Sequence, residues 1–387
     1  MWRLFALLVA CNSARAITGD APLSDAYRPL DATLAIDGLA VAPSSAAMKW
    51  PDSAPLQVLA HFTDDAVLDV TPYATYTTDA PTVAIASGGI VEPIGPGSAT
   101  LTATYLGVSA TSSITVSVPT LVVATSDGVD FLNASASGSA MPFRSIRGPA
   151  TTLQAADGVA VLGQELFVTD RAADAIDVWP LTGSGNLAPS RRITTSFTPL
   201  SIAASGSEIF VGAADGVRVF DATDSGPATP IQTITGSNTG IAQGAGIAVA
   251  AGELYVVDQG GSVSVFAQTA NGNVAPKRVL TGAATGLVDP VGISVAFQVE
   301  LVTTVGNNSA LEFFSSQNGN VVAGGVSFEG GQSMLQAPTC ATQADTRIFV
   351  GSPSSSTIDQ FVTNAPEGDL PPQATITGEP VQAMTLF

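Results

Sequence analysis

The chain has 387 residues, of which 13 are Lys or Arg and 32 are Asp or Glu, so its formal net charge is −19. A chain this poor in cations cannot neutralise many phosphates, which argues against a nucleic-acid partner. Only 12% of the residues are charged, and there are 38 glycines and 25 prolines, a composition typical of all-β modules. After the first few positions no run of 18 apolar residues occurs, so no segment is predicted to cross a membrane as a helix.

The N-terminus is predicted to be a signal peptide, residues 1–16. Arg3 precedes an apolar stretch at positions 4–10, which has the length of a signal-peptide core. Residues 8–11, ending in Cys11, resemble the bacterial lipobox, which implies cleavage before Cys11 and lipid attachment to its sulfur. The alternative is cleavage after Ala16, at an Ala-x-Ala-like site. We therefore expect an exported protein, either a cell-envelope or outer-membrane lipoprotein or a periplasmic or secreted one.

Residues 17–33 are predicted to be a polar linker, because they include Gly19, Pro22 and Pro29. The only other cysteine is Cys340, so lipidation of Cys11 would leave no intramolecular disulfide. Residues 119–387 contain a repeat of about 45 residues, in which Cys340 aligns with Gly292 of the preceding unit. We therefore expect Cys340 to be a small buried side chain rather than a nucleophile.

Residues 34–118 consist of short alternating segments, as the strands of a β-sandwich do. The segments at 39–43, 58–65, 69–71, 76–84, 89–91, 97–104 and 114–116 resemble the bacterial immunoglobulin-like group 2 domain, with Tyr76 where that family usually has Trp. The resemblance implies an immunoglobulin-like β-sandwich that acts as a spacer or an adhesive module on bacterial surfaces. We favour the spacer, because no aromatic or charged cluster marks a binding face. His61 alone makes no metal site.

Residues 119–387 repeat one phrase of four short apolar runs six times. The first runs begin 43 to 47 residues apart, at Leu121, Leu166, Ile209, Leu254, Leu301 and Ile348. Four strands per unit with a period near 45 residues is typical of propeller blades. The sequence therefore predicts an all-β chain in which an immunoglobulin-like β-sandwich is followed by a six-bladed β-propeller.

The order of the runs predicts how the ring closes. The fourth run of each repeat has the smallest side chains, which is what the crowded strand beside the axis needs. This inner strand then belongs to the next blade. The last run, residues 381–386, has no following blade, and the first run, at Leu121, has no preceding inner strand. We expect these two to pair and leave no open edge.

Residues 253–258 and 290–295 make the repeats resemble six-bladed NHL-like and gluconolactonase-like propellers. Related hydrolases hold a divalent cation over the axis, with ligands at the starts of the inner strands. The same positions here carry Asp157, with Asp289 and Glu379 one residue earlier in two repeats. Three acids are few for calcium, which takes six to eight oxygens. The propeller also has no histidine and no Gly-x-Ser-x-Gly motif.

We therefore expect a binding or scaffolding propeller with the N-terminal domain as spacer, and no catalytic residues. The alternative is a divalent-cation-dependent hydrolase or lactonase-like enzyme. The expected partner is a protein or carbohydrate at the cell surface, with membrane contact only through the N-terminal lipid. No cofactor is expected, although calcium is possible.

One side of the propeller is predicted to be acidic. The connections that precede the inner strands and the turns between the first and second runs of a repeat should open on the same side. Candidate ligand or cation-binding residues there are Asp157, Asp289, Glu379, Asp170 and Asp258. Asp127 and Asp215 are expected on the same side, and the alternative for them is that they only form tight turns. The Gly-Asn-x-Ala-Pro bends at 185–189 and 272–276 are expected on the opposite side, and the basic pairs at 191–192 and 277–278 are expected to be solvated.

Overall fold

The computed structural model describes residues 35–296, 298–324, 327–344, 346–363 and 370–387. The expected signal peptide, Cys11 and the linker at 17–33 lie outside these ranges. The described residues form strands joined by short connections, with 3-10 turns at Thr71–Tyr73, Pro149–Thr151 and Ala283–Thr285. In the described part of the chain, no helix is long and apolar enough to cross a membrane.

The described N-terminal residues fold into three small sheets around one core. The strands are β1 (Ile36–Ala42), β2 (Ser45–Lys49), β3 (Ala54–Pro55), β4 (Gln57–Phe62), β5 (Val67–Asp69), β6 (Thr75–Thr78), β7 (Ala84–Ser87), β8 (Ile90–Pro93), β9 (Gly97–Tyr105) and β10 (Val108–Ser117). Their sheet orders are β1-β4-β5, β2-β10-β9-β6 and β3-β8-β7. Alternate residues of β9 and β10 are buried, including Leu101 and Ile114, and Tyr76 packs against the same core. The period-2 pattern is therefore what turns one face of each strand inward.

The remaining strands form six sheets within the described residues, arranged as blades. Blade 1 contains β11 (Thr120–Thr125), β12 (Gly128–Asn133), β13 (Arg144–Arg147) and the C-terminal β35 (Val381–Leu386). Blade 2 contains β14 (Ala156–Leu162), β15 (Glu165–Asp170), β16 (Ala175–Pro180) and β17 (Arg191–Thr194). Blade 3 contains β18 (Ser201–Ser205), β19 (Glu208–Ala213), β20 (Gly216–Asp221) and β22 (Gln232–Thr235), and its short β21 (Gly226–Pro227) joins the sheet of blade 2.

The other three blades have the same plan, from the inner strand outward. Blade 4 contains β23 (Gly244–Ala250), β24 (Glu253–Asp258), β25 (Ser262–Ala267) and β26 (Arg278–Thr281). Blade 5 contains β27 (Pro290–Ala296), β28 (Val299–Thr304), β29 (Ser309–Phe314) and β30 (Ser327–Phe328). Blade 6 contains β31 (Cys340–Ala344), β32 (Arg347–Ser352), β33 (Thr357–Val362) and β34 (Ala374–Thr377). The chain is therefore all-β, and its larger part is a β-propeller.

The ring closes through the C-terminal strand. The inner strands contact one another in the order β35, β14, β18, β23, β27, β31 and back to β35. β35 pairs antiparallel with β11, so that Leu121 faces Leu386 and Val123 faces Met384. The amide of Thr120 donates to the carbonyl of Phe387 at 3.0 Å. This is the pairing that the sequence led us to expect.

Crowding at the axis explains the small residues of the inner strands. A Cβ added to Gly246 would lie 2.4 Å from the carbonyl oxygen of Val291 on the next inner strand, and one added to Gly292 would lie 2.4 Å from that of Thr339. Cys340 occupies the position of Gly292 in blade 6 and is buried, as predicted. Burial raises the pKa of the Cys340 thiol to about 12, so this thiol stays protonated.

The long bends before the outer strands fasten neighbouring blades together. Gly185 pairs in parallel with Ile146 on the outer strand of the preceding blade, and Gly319 pairs with Leu280 in the same way. The Asn that follows Gly185 accepts a hydrogen bond from the amide of Ala150 at 2.7 Å. Asn273 and Asn320 make equivalent bonds, each 2.7 Å long. We call these contacts the asparagine latches.

The latches correct the expected position of the bends. Ala150 lies in the connection that leads to inner strand β14, on the side expected to hold the candidate acids. The Gly-Asn bends therefore run back along the blade edge and do not stay on the opposite side. Their glycines have positive φ, 73° at Gly185 and 86° at Gly272, as the sequence suggested.

The fifth repeat begins one residue earlier than the sequence suggested. Thr303 pairs with Gly292 as Thr169 pairs with Gly158. By this register Glu300, and not Leu301, takes the position of Leu166. Because successive strand residues face opposite sides, a shift of one residue exchanges the two faces of the strand.

Candidate functional site

A cavity of about 290 Å³ lies on the propeller axis. Residues of all six inner strands line it, together with two residues from the turns that follow β15 and β24. Its polar side chains are those of Asp157, Arg171, Ser201, Gln259, Thr339 and Gln382, and the other lining residues are mainly small and aliphatic. A concave space in which a few polar groups converge between apolar walls is the usual form of a ligand site.

Asp157 and Arg171 form a charged pair at this cavity. Asp157 lies at an irregularity near the start of β14, and Arg171 directly follows β15. The Nε of Arg171 lies 3.1 Å from Oδ2 of Asp157. Burial raises the pKa of Asp157, Arg171 opposes the rise, and the neighbouring carboxylate of Asp170 adds to it. The Arg171 side chain is 56% exposed and the Asp157 side chain is 16% exposed, so the arginine is the member of the pair that is open to a ligand.

Asp170 and Asp258 have a structural role. Asp170 is fully buried and accepts the amides of Gln154 and Ala155, at 2.9 and 3.0 Å. Asp258 likewise accepts the amides of Ala242 and Gln243, at 2.6 and 2.8 Å. Both carboxylates tie the connection before an inner strand to the end of the second strand. Their oxygens are therefore already occupied by backbone donors.

Asp289 and Glu379 lie in connections that precede inner strands, as predicted. Asp289 is exposed, with φ 47°, and its carbonyl accepts the amide of Val305 at 3.1 Å. Glu379 is 6% exposed, and burial raises the pKa of its carboxyl group. Asp130 raises the pKa of Glu379 further, and Arg147 opposes the rise.

The candidate acids are not gathered into one cluster. Nowhere in the described ranges do three or more His, Cys, Asp or Glu side chains gather so that they could hold a metal ion. Asp157 lies close to Asp170, but Asp170 is occupied as described above. Asp127 pairs with Arg147, and Asp215 pairs with Arg218 at 2.5 Å. Much of the predicted negative charge is therefore matched by arginines or by backbone amides.

The basic pairs of the outer strands are not simply solvated, which corrects the prediction. Arg191 binds Glu165 with both terminal nitrogens, and its side chain is only 17% exposed. Arg192 binds the fully buried Asp177 at 2.6 Å. Arg278 binds Glu253 at 2.6 Å. The sequence could have indicated these ion pairs, because a Glu begins the second strand of each of these blades. Glu253 lies 25 residues before Arg278, and Glu165 lies 26 residues before Arg191.

No family model and no curated protein matches this chain. Among solved structures, a chain of a nidogen/laminin complex aligns over 69% of this chain and 98% of its own length, with 16% identity and a TM-score of 0.53. The WD40 β-propeller domain of Doa1 is 9% identical, covering 73% and 81%, with a TM-score of 0.48. The computationally designed protein Ika8 is 14% identical, covering 85% and 84%, with a TM-score of 0.40. At these identities the nidogen/laminin match concerns the fold alone.

Proposed function

We propose that the protein is an exported binding or scaffolding module whose propeller recognises its partner at the axial cavity. The observation that carries the proposal is the Asp157–Arg171 pair, which lines the cavity and whose arginine is open to solvent. Fold alone does not imply chemistry, so the proposal is argued from these side chains.

The chemistry of the site favours a ligand with little net charge. Asp157 supplies an acceptor, Arg171 supplies donors, and the amides of Gln259 and Gln382 supply both. Hydroxyl and amide groups of a surface carbohydrate or of a protein loop would satisfy such a mixed set. A nucleic acid would not, because the chain has a net charge of −19.

Site-directed photo-crosslinking in intact cells tests the proposal. A photoreactive amino acid at Gln259, beside the cavity, should crosslink to a cell-envelope component. The crosslink should disappear when Asp157→Asn and Arg171→Ala are combined. Gln164 is the matched control, because it is exposed in the turn between β14 and β15, on the opposite side of blade 2. Crosslinks of equal yield from Gln164, or yields unaffected by the double substitution, would refute the axial site.

We further propose that the N-terminal domain is a bacterial immunoglobulin-like spacer and that Cys11 carries the lipid anchor. The lipobox-like residues 8–11 support this proposal. Replacing Cys11 with Ser should move the protein from the membrane fraction to the soluble fraction. Unchanged membrane association, or a mature N-terminus at Ile17, would contradict it.

A calcium titration separates this proposal from the cation-dependent hydrolase. An ion that binds the folded state stabilises it by an amount that grows with the logarithm of the ion concentration relative to Kd. Among the candidate acids, Asp157 pairs with Arg171, and Asp170 and Asp258 accept backbone amides. We expect calcium to leave the melting temperature unchanged. A calcium-induced rise that is lost when Asp157, Asp289 and Glu379 become Asn, Asn and Gln would favour the hydrolase.

A further inference from the structure

Blade 5 departs from the other blades at the second residue of its second strand. The other five blades carry an aliphatic side chain there, each 0% exposed: Leu121, Leu166, Ile209, Leu254 and Ile348. Blade 5 carries Glu300, which is also 0% exposed. Among the described residues neither oxygen of its carboxylate has a hydrogen-bond partner. A buried carboxylate without a partner is costly to keep ionised.

The third strand of blade 5 shows the same departure. Glu312 is 4% exposed and takes the position of Val178, while Phe313 takes that of Trp179. The next residue, Phe314, is 47% exposed. Moving the strand by one residue would place Glu312 at the position of Asp177 and Phe314 at that of Trp179. Glu300, Glu312 and Phe314 therefore each lie one position further toward the C-terminal end of their strand than Glu165, Asp177 and Trp179 do in blade 2.

The turn between β27 and β28 offers a reason for the displacement. Blades 2, 3 and 4 join these strands by two-residue turns that contain Gly163, Gly206 and Gly252, with φ of 60°, 66° and 76°. The turn of blade 5 has Phe-Gln in the sequence, and Gln298 has φ 66°. Positive φ is unfavourable for a residue other than Gly, Asn or Asp. A longer turn before β28 would relieve Gln298.

We propose that β28 and β29 have a second register, displaced by one residue, in which Glu300 takes the position of Glu253 and leaves the core. Val305 would then face Ala310, where Thr304 now faces Ser309. β30 pairs with Ala310 and Leu311 of β29. The amide of Gly324 also donates to the carbonyl of Glu312 at 3.1 Å, so the outer strand exchanges these partners when β29 moves. The two registers form a conformational switch within blade 5.

The protonation of Glu300 sets the balance between the registers. Burial raises the pKa of Glu300 to about 7 from its ordinary value of 4.5, Arg278 opposes the rise, and Glu253 adds to it. The ionisable groups that face it from blade 4 are Glu253, Tyr255 and Arg278, with Lys277 bound to Glu253. An exposed carboxylate would titrate near 4.5. Between about pH 4.5 and about pH 7, each rise of one pH unit therefore increases the ratio of the second register to the first about tenfold.

Hydroxyl-radical footprinting of the intact protein tests the switch. At about pH 5 Phe314 should be oxidised as its exposure predicts, and at about pH 8 its oxidation should fall severalfold as the ring enters the core. Phe143, which is 55% exposed in blade 1, is the internal reference and should react equally at both pH values.

Two variants complete the test. Glu300→Leu restores the aliphatic residue of the other blades, so Phe314 should remain reactive at both pH values. Glu300→Gln removes the charge with almost no change of volume and gives the same comparison if the Leu variant folds poorly. Equal oxidation of Phe314 at both pH values in the wild type, or the same pH dependence in both variants, would overturn the proposal.

Discussion

The carboxylate of Glu253 accepts four side-chain hydrogen bonds. Arg278 donates to both of its oxygens, and Lys277 and the Tyr255 hydroxyl also contact it. The hydrogen bond from Arg278 is the largest cause that lowers the pKa of Glu253 to about 2 from 4.5. Stability from this network is therefore fully present above pH 4.5 and is lost as the pH falls through about 2.

We expect Glu253→Gln to lower the free energy of unfolding at neutral pH by about 1–3 kcal/mol, because it removes charge-assisted hydrogen bonds. Urea denaturation measures the change. Glu208→Gln is the matched control, because Glu208 occupies the same position in blade 3 and the outer strand there carries Gln232 instead of Arg. Equal losses for the two variants would mean that the arginine contributes nothing.

The burial of a residue was predictable where its position in the repeat alone decides its environment. Cys340 was expected to be buried because it aligns with the crowded Gly292, and it is buried. The candidate acids were harder to interpret, since Asp170 looks the same in sequence whether it binds a ligand or backbone amides. Only the folded connection shows that the amides of Gln154 and Ala155 occupy it.

The asparagine latches depend on a glycine opposite the Asn side chain. Gly236 has φ 115°, and an added Cβ would lie 2.6 Å from Cγ of Asn273. We expect Gly236→Ala to destabilise the protein by about 2–3 kcal/mol, through backbone strain and loss of the latch. Gly331→Ala is the control, because a Cβ there meets no atom within 4 Å. Thermal melts should separate the two variants by several degrees, and similar melting temperatures would show that the latch is dispensable.

The β11–β35 pair is the seam that closes the ring of blades. Deleting residues 381–387 removes the partner of β11 and the inner-strand contacts with β14 and β31. We expect a loss above about 4 kcal/mol, with aggregation through the bare edge. Phe387→Ser, at a residue that is 47% exposed, should change little. A truncated protein that melts like the full chain would contradict the role of the seam.

The number of blades and the seam were predictable because the apolar runs recur at nearly constant spacing. The register of blade 5 was not. Relative to blade 4, its second strand can be aligned with the extra residue in the turn at 297–299 or in the turn at 305–308. Both alignments keep an apolar run, so periodicity alone cannot choose between them.

Trp50 joins the N-terminal domain to the propeller. Its ring lies 5.2 Å from the guanidinium carbon of Arg347 in blade 6. It also packs against the core that blades 6 and 1 share at the seam, alongside Val118. The N-terminal domain therefore supports the region where the ring closes.

We expect Trp50→Ala to lower the free energy of unfolding of the propeller by about 2 kcal/mol, because a large apolar contact is lost. Tyr73→Ala is the control, since Tyr73 belongs to the same domain but is 72% exposed. Calorimetry should show the propeller transition moving down in the Trp50 variant only. An unmoved transition would mean that the two domains are stable independently.

The seam also decides how the propeller bears a mechanical load. Thr120 and Phe387 are hydrogen-bonded to each other at one end of the β11–β35 pair. Tension between the N-terminal domain and the C-terminus therefore falls on one pair of residues at a time, and the bonds separate in succession. A force applied between two blades other than blade 1 would instead load many strand pairs together. If the protein is tethered at its N-terminus and pulled from its C-terminus, the ring opens at blade 1 first.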